Sequence, residues 1–167
     1  MKPLAIALAL LMTIPAFASA ALTAVKLGGG IHYLHSLEQI KDSEEFDENS
    51  LGYLGSLQLS SAGITVEGLA EYIPDYLGFD KNLVMPQVYL LLGQLIYVGA
   101  GAGWGYYNKD WTDDPFYALR AGVNVGRDPL GLDVFATYRF MKWKVLENVD
   151  SEDWNSITFG AVLRVSL

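Results

Sequence analysis

Few residues in this chain are of the types that do covalent or metal chemistry. The only histidines are His32 and His35. On a strand, a spacing of three points them to opposite faces, so they cannot share one metal ion. His35, Ser36 and Glu38 are the residue types of a Ser-His-acid hydrolase. They sit where an extended segment meets a charged loop, with no neighbour evident to orient a base. Gly99, Gly101 and Gly103 invite a dinucleotide-loop reading. Their spacing is not G-x-G-x-x-G and no helix follows, so the better reading is small residues making room for large neighbours. Asp110-x-x-Asp113-Asp114 lacks the glycine and terminal glutamate of an EF-hand. The chain has no cysteine, which excludes a thiol nucleophile, thiolate metal ligands and a disulfide scaffold. The expectation is therefore no catalytic residue, no metal and no cofactor.

The elements that would position any site are organised by strict alternation. Residues 156–167 read SITFGAVLRVSL. Ile157, Phe159, Ala161, Leu163, Val165 and Leu167 fall on one face of a strand. Ser156, Thr158, Gly160, Arg164 and Ser166 fall on the other, with Val162 as the one large apolar exception. Seven earlier stretches share this period of two: 24–34, 50–60, 64–73, 83–92, 96–107, 115–126 and 132–143. Eight strands result, each near the roughly 9–11 residues a tilted strand needs to cross a bilayer. Their connections alternate long and short. Tyr33, Tyr53, Tyr72, Trp104, Tyr106, Tyr117, Tyr138 and Phe159 all lie on the apolar face near the long-loop ends. That places one aromatic girdle there and leaves the short-turn end aliphatic. A soluble barrel would need this apolar face inside. The polar face, rich in glycine and short residues, suits a crowded lumen better than a solvated exterior. A membrane-spanning helix over 88–103 is opposed by the period-2 glycines, which a helix would scatter around its circumference.

Residues 1–20 stand apart. Lys2, an apolar run over 4–14 and Ala18-Ser19-Ala20 make a secretory signal, cleaved after Ala20. The remainder, 21–167, forms one barrel domain. The chain has 11 Lys+Arg and 19 Asp+Glu; without Lys2 the balance is 10 against 19, which opposes nucleic acid as a partner. The acidic residues gather in the long loops: Glu38, Asp42, Glu44, Glu45, Asp47 and Glu48 in the first, Asp110, Asp113 and Asp114 in the third, Glu147, Asp150, Glu152 and Asp153 in the fourth. Solvated loops are the plain reading; a weak divalent-cation or basic-partner surface is the sharper one.

Thr158-x-Gly160-x-x-Leu163-x-Val165, followed by Leu167, resembles the C-terminal sorting signal of bacterial outer-membrane barrels, many of which end in Phe where this chain ends in Leu. With YVGAGAG at 97–103, ATYRF at 136–140, the strand count, the girdle and the loop alternation, the chain resembles the small OmpA/OmpX-like outer-membrane barrels. That resemblance implies an all-β, eight-stranded antiparallel up-and-down transmembrane β-barrel in the bacterial outer membrane, monomeric by default. Outer-membrane lipid, lipopolysaccharide and the barrel-assembly machinery would be its partners. The fold is shared by adhesins, envelope-stabilising proteins, narrow pores and a few lipid A-modifying enzymes. The expectation for this chain is a non-enzymatic barrel with a structural or surface-interaction role; the alternatives are a narrow pore or a lipid A-modifying enzyme.

The inward charges locate the candidate site. Lys26, Glu67, Asp133 and Arg164 are expected near the short-turn end, and Glu71, Arg120 and Arg139 higher in the lumen. Mixed signs in so narrow a space imply ion pairs and a plugged interior, because an unpaired charge there costs several kcal/mol. Tyr89, Tyr97 and Phe135 point inward and add volume. Leu163 is expected to face lipid near the short-turn end.

Overall fold

The computed structural model describes residues 24–37, 47–78, 81–127, 129–140 and 155–167. The expected signal segment and most of the first and last long loops lie outside them. Among the described residues ten strands are present: β1 (Ala24–Ser36), β2 (Asn49–Ser61), β3 (Ile64–Ile73), β4 (Leu83–Gly93), β5 (Ile96–Gly103), β6 (Tyr106–Tyr107), β7 (Asp110–Trp111), β8 (Phe116–Arg127), β9 (Leu130–Phe140) and β10 (Ser156–Ser166). Eight are long, and β6–β7 is a two-residue ribbon at the long-loop end. Every long strand pairs antiparallel with its sequence neighbour, and β10 pairs with β1. The sheet is therefore a closed barrel without an edge.

The expected strand over 96–107 is interrupted after Gly103. Pro86 accounts for the break. Its carbonyl accepts a hydrogen bond from the Trp104 N–H, but proline has no N–H to return the second bond of the pair. Pairing with β4 resumes in the same register, Val84 opposite Tyr106 and Leu83 opposite Tyr107. At the opposite end Ala62 (φ 49) and Gly63 (φ 84) are both left-handed, the mirror-image two-residue turn whose twist suits a hairpin.

Register fixes the barrel's shape. Starting at Lys26 and stepping to the paired residue on each next strand gives Gln58, Glu67, Tyr89, Gly101, Ala118, Arg139, Ser156 and finally Ser36. One circuit returns to β1 ten residues from its start. For eight strands this stagger gives a tilt of about 40° and a radius of about 8 Å, so each residue climbs about 2.5 Å along the axis.

Polarity is inverted relative to a soluble barrel. Leu163 is 65% exposed and Ile96 70%, whereas Glu67, Asp133 and Arg139 are each 0%. From Leu130 and Leu167 at the turn end to the ring of Tyr33, Tyr53, Tyr72, Tyr117 and Tyr138, the outward face is continuously apolar. The register gives that band a height of about 20–25 Å, close to the roughly 25 Å band of membrane barrels.

Inward glycines make the filled lumen possible. A Cβ on Gly101 would stand 2.5 Å from the Tyr89 ring, and one on Gly122 would stand 2.4 Å from the Tyr97 hydroxyl oxygen. Gly101→Ala is accordingly expected to overpack the lumen and destabilise the barrel by about 1–3 kcal/mol. Urea unfolding from lipid vesicles reads this directly, and an unchanged midpoint would mean that Tyr89 moves aside freely.

Candidate functional site in the polar lumen and its apolar cap

The lumen is built from every second residue of each strand, and three arginines run up its centre. At the turn end Arg164 from β10 meets two acids. Its Nη2 lies 2.6 Å from Asp133 Oδ2 and 2.8 Å from Glu67 Oε1, and its Nη1 donates to Ser56 Oγ. The Tyr97 hydroxyl donates to the other oxygen of Asp133 at 2.9 Å. Next comes Arg120 from β8. Its Nη1 lies 3.0 Å from Glu67 Oε2 and its Nε donates to Thr137 Oγ1 at 3.0 Å. The guanidinium is sandwiched between the Tyr89 and Phe135 rings, 4.1 and 4.2 Å from their centroids. Above it, Arg139 Nη2 grips both oxygens of Glu71 at 2.6 and 2.7 Å, and Nη1 donates to Thr158 Oγ1 at 2.6 Å. His32 Nε2 stands 3.9 Å from Glu71 Oε2.

One placement differs from the sequence expectation. Arg120 was expected in the upper layer with Glu71 and Arg139, yet its ion pair is with Glu67 of the lower one. The ten-residue stagger brings β8 and β3 together at that height, which no single strand discloses. Lys26, expected near the short-turn end with Glu67, Asp133 and Arg164, lines a recess of about 60 Å³ at the turn-end mouth with Asn124, Arg164 and Ser166. Thr158, expected to act in a sorting signal, also faces inward and holds Arg139. Gly160 makes room beside it, since a Cβ there would stand 2.4 Å from the Phe135 ring. Leu163, Val165 and Leu167 all face outward.

The hydrolase-type group does not assemble among the described residues. Ser36 is buried in the lumen, while His35 points outward and its Nδ1 lies 3.0 Å from Asn49 Oδ1; Glu38 lies outside the described residues. Among the described residues no group of three or more His, Cys, Asp or Glu side chains forms a metal cage.

Above the arginines the lumen turns apolar. Leu34, Ile73, Leu83, Met85 and Phe116 project inward from four strands, and Tyr76 and Leu77 enter from the β3–β4 loop to complete one buried cluster. Leu77 is 0% exposed. Its N–H donates to Ser50 Oγ at 2.9 Å and its carbonyl accepts from the Asp47 N–H at 3.2 Å. Both Asp75 (φ 46) and Leu77 (φ 55) are left-handed, a conformation that costs a residue other than glycine about 1–2 kcal/mol. This cap was not foreseen. The available signal was Tyr76-Leu77, an apolar pair in mid-loop between Pro74 and Gly78.

The arrangement can neutralise charge and exclude solvent. Three buried arginines face three buried carboxylates, and a hydrogen-bonded shell of Ser56, Tyr97, Thr137 and Thr158 fixes their orientation.

No family model matches the chain, and no curated protein matches it in sequence. Solved structures do. Neisserial surface protein A superposes with a TM-score of 0.67 at 11% identity, over 86% of this chain and 97% of that one. The designed transmembrane β-barrel TMB2.3 superposes with a TM-score of 0.50 at 11% identity, over 84% of this chain and 94% of that one. Ail of Yersinia pestis follows at a TM-score of 0.43, 14% identity, and 84% and 96% coverage. At identities this low, the superpositions on the first two structures show a shared fold alone, that of a small, eight-stranded transmembrane β-barrel.

Proposed function

We propose that this protein is a non-enzymatic bacterial outer-membrane barrel whose lumen is plugged, serving as a structural or surface-interaction protein. The observation that carries the reading is the filling of the lumen. Arg164, Arg120 and Arg139 are stacked along it, each tied to a carboxylate on another strand, and an apolar cap closes the long-loop end. An eight-stranded barrel has an interior just wide enough for its own side chains. A pore would need these ion pairs to part, which leaves buried charges uncompensated. In this reading the aromatic girdle lies in the outer leaflet against lipopolysaccharide, the tight turns lie in the periplasm, and the barrel is monomeric. The motif Thr158, Gly160, Leu163, Val165 and Leu167 is read by the assembly machinery before the strand closes the barrel.

Purified protein in a planar bilayer tests the plug. The wild type is expected to give little conductance, and Arg120→Ala or Glu71→Ala to give channel activity. Steady, reproducible conductance steps from the wild type would refute the plug and favour a narrow pore.

A further inference from the structure

The β3–β4 loop reaches into the barrel mouth instead of passing over it. Tyr76 and Leu77 are buried there against Leu34, Ile73, Leu83, Met85 and Phe116. The mouth treats Leu77 as a binding site treats a peptide residue. An apolar cup takes the side chain, Ser50 Oγ accepts from the backbone N–H, and the Asp47 N–H donates to the carbonyl. Tyr76 adds an aromatic contact, its ring edge-on to Tyr107 with centroids 6.2 Å apart, while its N–H donates to the Lys81 carbonyl at 2.8 Å. Two left-handed residues, Asp75 and Leu77, hold this insertion. Strain of this kind persists only where surrounding contacts enforce it, and it points towards a segment with two positions.

We propose that the loop-end mouth is a recognition cup for a short peptide of aromatic-leucine type, and that Tyr76–Leu77 fills it in cis as a detachable stand-in. The hydrogen-bonding pair selects the chemistry. An acyl chain has no N–H to offer Ser50 and no carbonyl along its length for Asp47, whereas one peptide residue supplies both. The cup rests on the surface-interaction reading only in facing outward. A cis occupant lowers the apparent affinity for a competitor by the fraction of time the cup is open, so vacating the cup reveals the site.

The probe is a fluorescent peptide with the sequence of residues 74–78, Pro-Asp-Tyr-Leu-Gly, read by anisotropy with barrel purified in detergent. Leu77→Gly is expected to bind it at least about tenfold more tightly than the wild type. Adding Ser50→Ala to Leu77→Gly is expected to remove that gain, and a peptide with Leu replaced by Asp is expected not to bind. Asp75→Gly relieves strain while keeping the anchor, so it holds the cap shut and binds more weakly than the wild type. Folding of each variant is checked by the heat-dependent shift in electrophoretic mobility. Equal affinity in the wild type and a folded Leu77→Gly overturns the proposal. Should Leu77→Gly not fold, Asp75→Gly binding as well as the wild type overturns it. Binding in detergent but not to intact cells upholds the cup and refutes the outward orientation; displacement by a fatty acid but not by unlabelled peptide refutes a peptide site.

Discussion

Glu71→Ala is expected to destabilise the folded barrel by about 3–5 kcal/mol, because it strands a buried charge. Arg139 is 0% exposed, and Glu71 accepts two of its hydrogen bonds at 2.6 and 2.7 Å. Without the carboxylate, the guanidinium keeps the Thr158 hydroxyl and loses its counter-charge. The pair itself contributes little net stability, since desolvating both ions offsets their attraction. The large effect belongs to removing one partner. Glu71→Ala combined with Arg139→Met should therefore recover most of the loss, and Glu71→Gln should fall between wild type and alanine. Urea unfolding of the four proteins in lipid vesicles gives the comparison. A double variant as unstable as Glu71→Ala alone would mean that Arg139 matters through packing and not through charge.

The second large effect lies on the opposite face. Leu163→Arg is expected to cost about 2–4 kcal/mol, the value for a basic residue facing lipid near the bilayer midplane, whereas Leu130→Arg at the turn end costs about 0–1 kcal/mol. Both leucines are more than half exposed, so burial in protein does not separate them; depth does. Leu163 pairs with Gly29 on one side and Leu132 on the other, and the stagger raises this row to the middle of the apolar band. By position in the chain alone, four residues before the last, it belongs near the turn end. Unfolding free energies measured in vesicles should separate the two substitutions by about 2 kcal/mol or more. Equal, small costs would remove Leu163 from the lipid core and undo the assignment of inner and outer faces on β10.

Much of this molecule is written locally. Side-chain direction in a strand alternates with a period of two, so Val25, Leu27, Ile31 and Tyr33 had to share one face of β1, and Thr65, Glu67 and Glu71 had to share the face of β3 opposite Ile64 and Val66. Eight such stretches with tight turns between alternate pairs set the strand count, and the bounds of β3 come straight from the sequence. So does the burial of Val162 among outward neighbours, because parity assigns it to the lumen. Register around the closed barrel is a different quantity. It is the sum of pairings across eight strands and is completed only when β10 meets β1, so no single stretch encodes it. That stagger decided that Arg120 pairs with Glu67, that Arg164 reaches Ser56 across 108 positions of sequence, and that Leu163 lies at mid-depth. The break after Gly103 needed Pro86 to lie directly opposite Trp104. The cap needed the β3–β4 loop to enter a mouth whose apolar lining comes from four separate strands. Periodicity specified which residues face inward; closure of the barrel decided which of them meet.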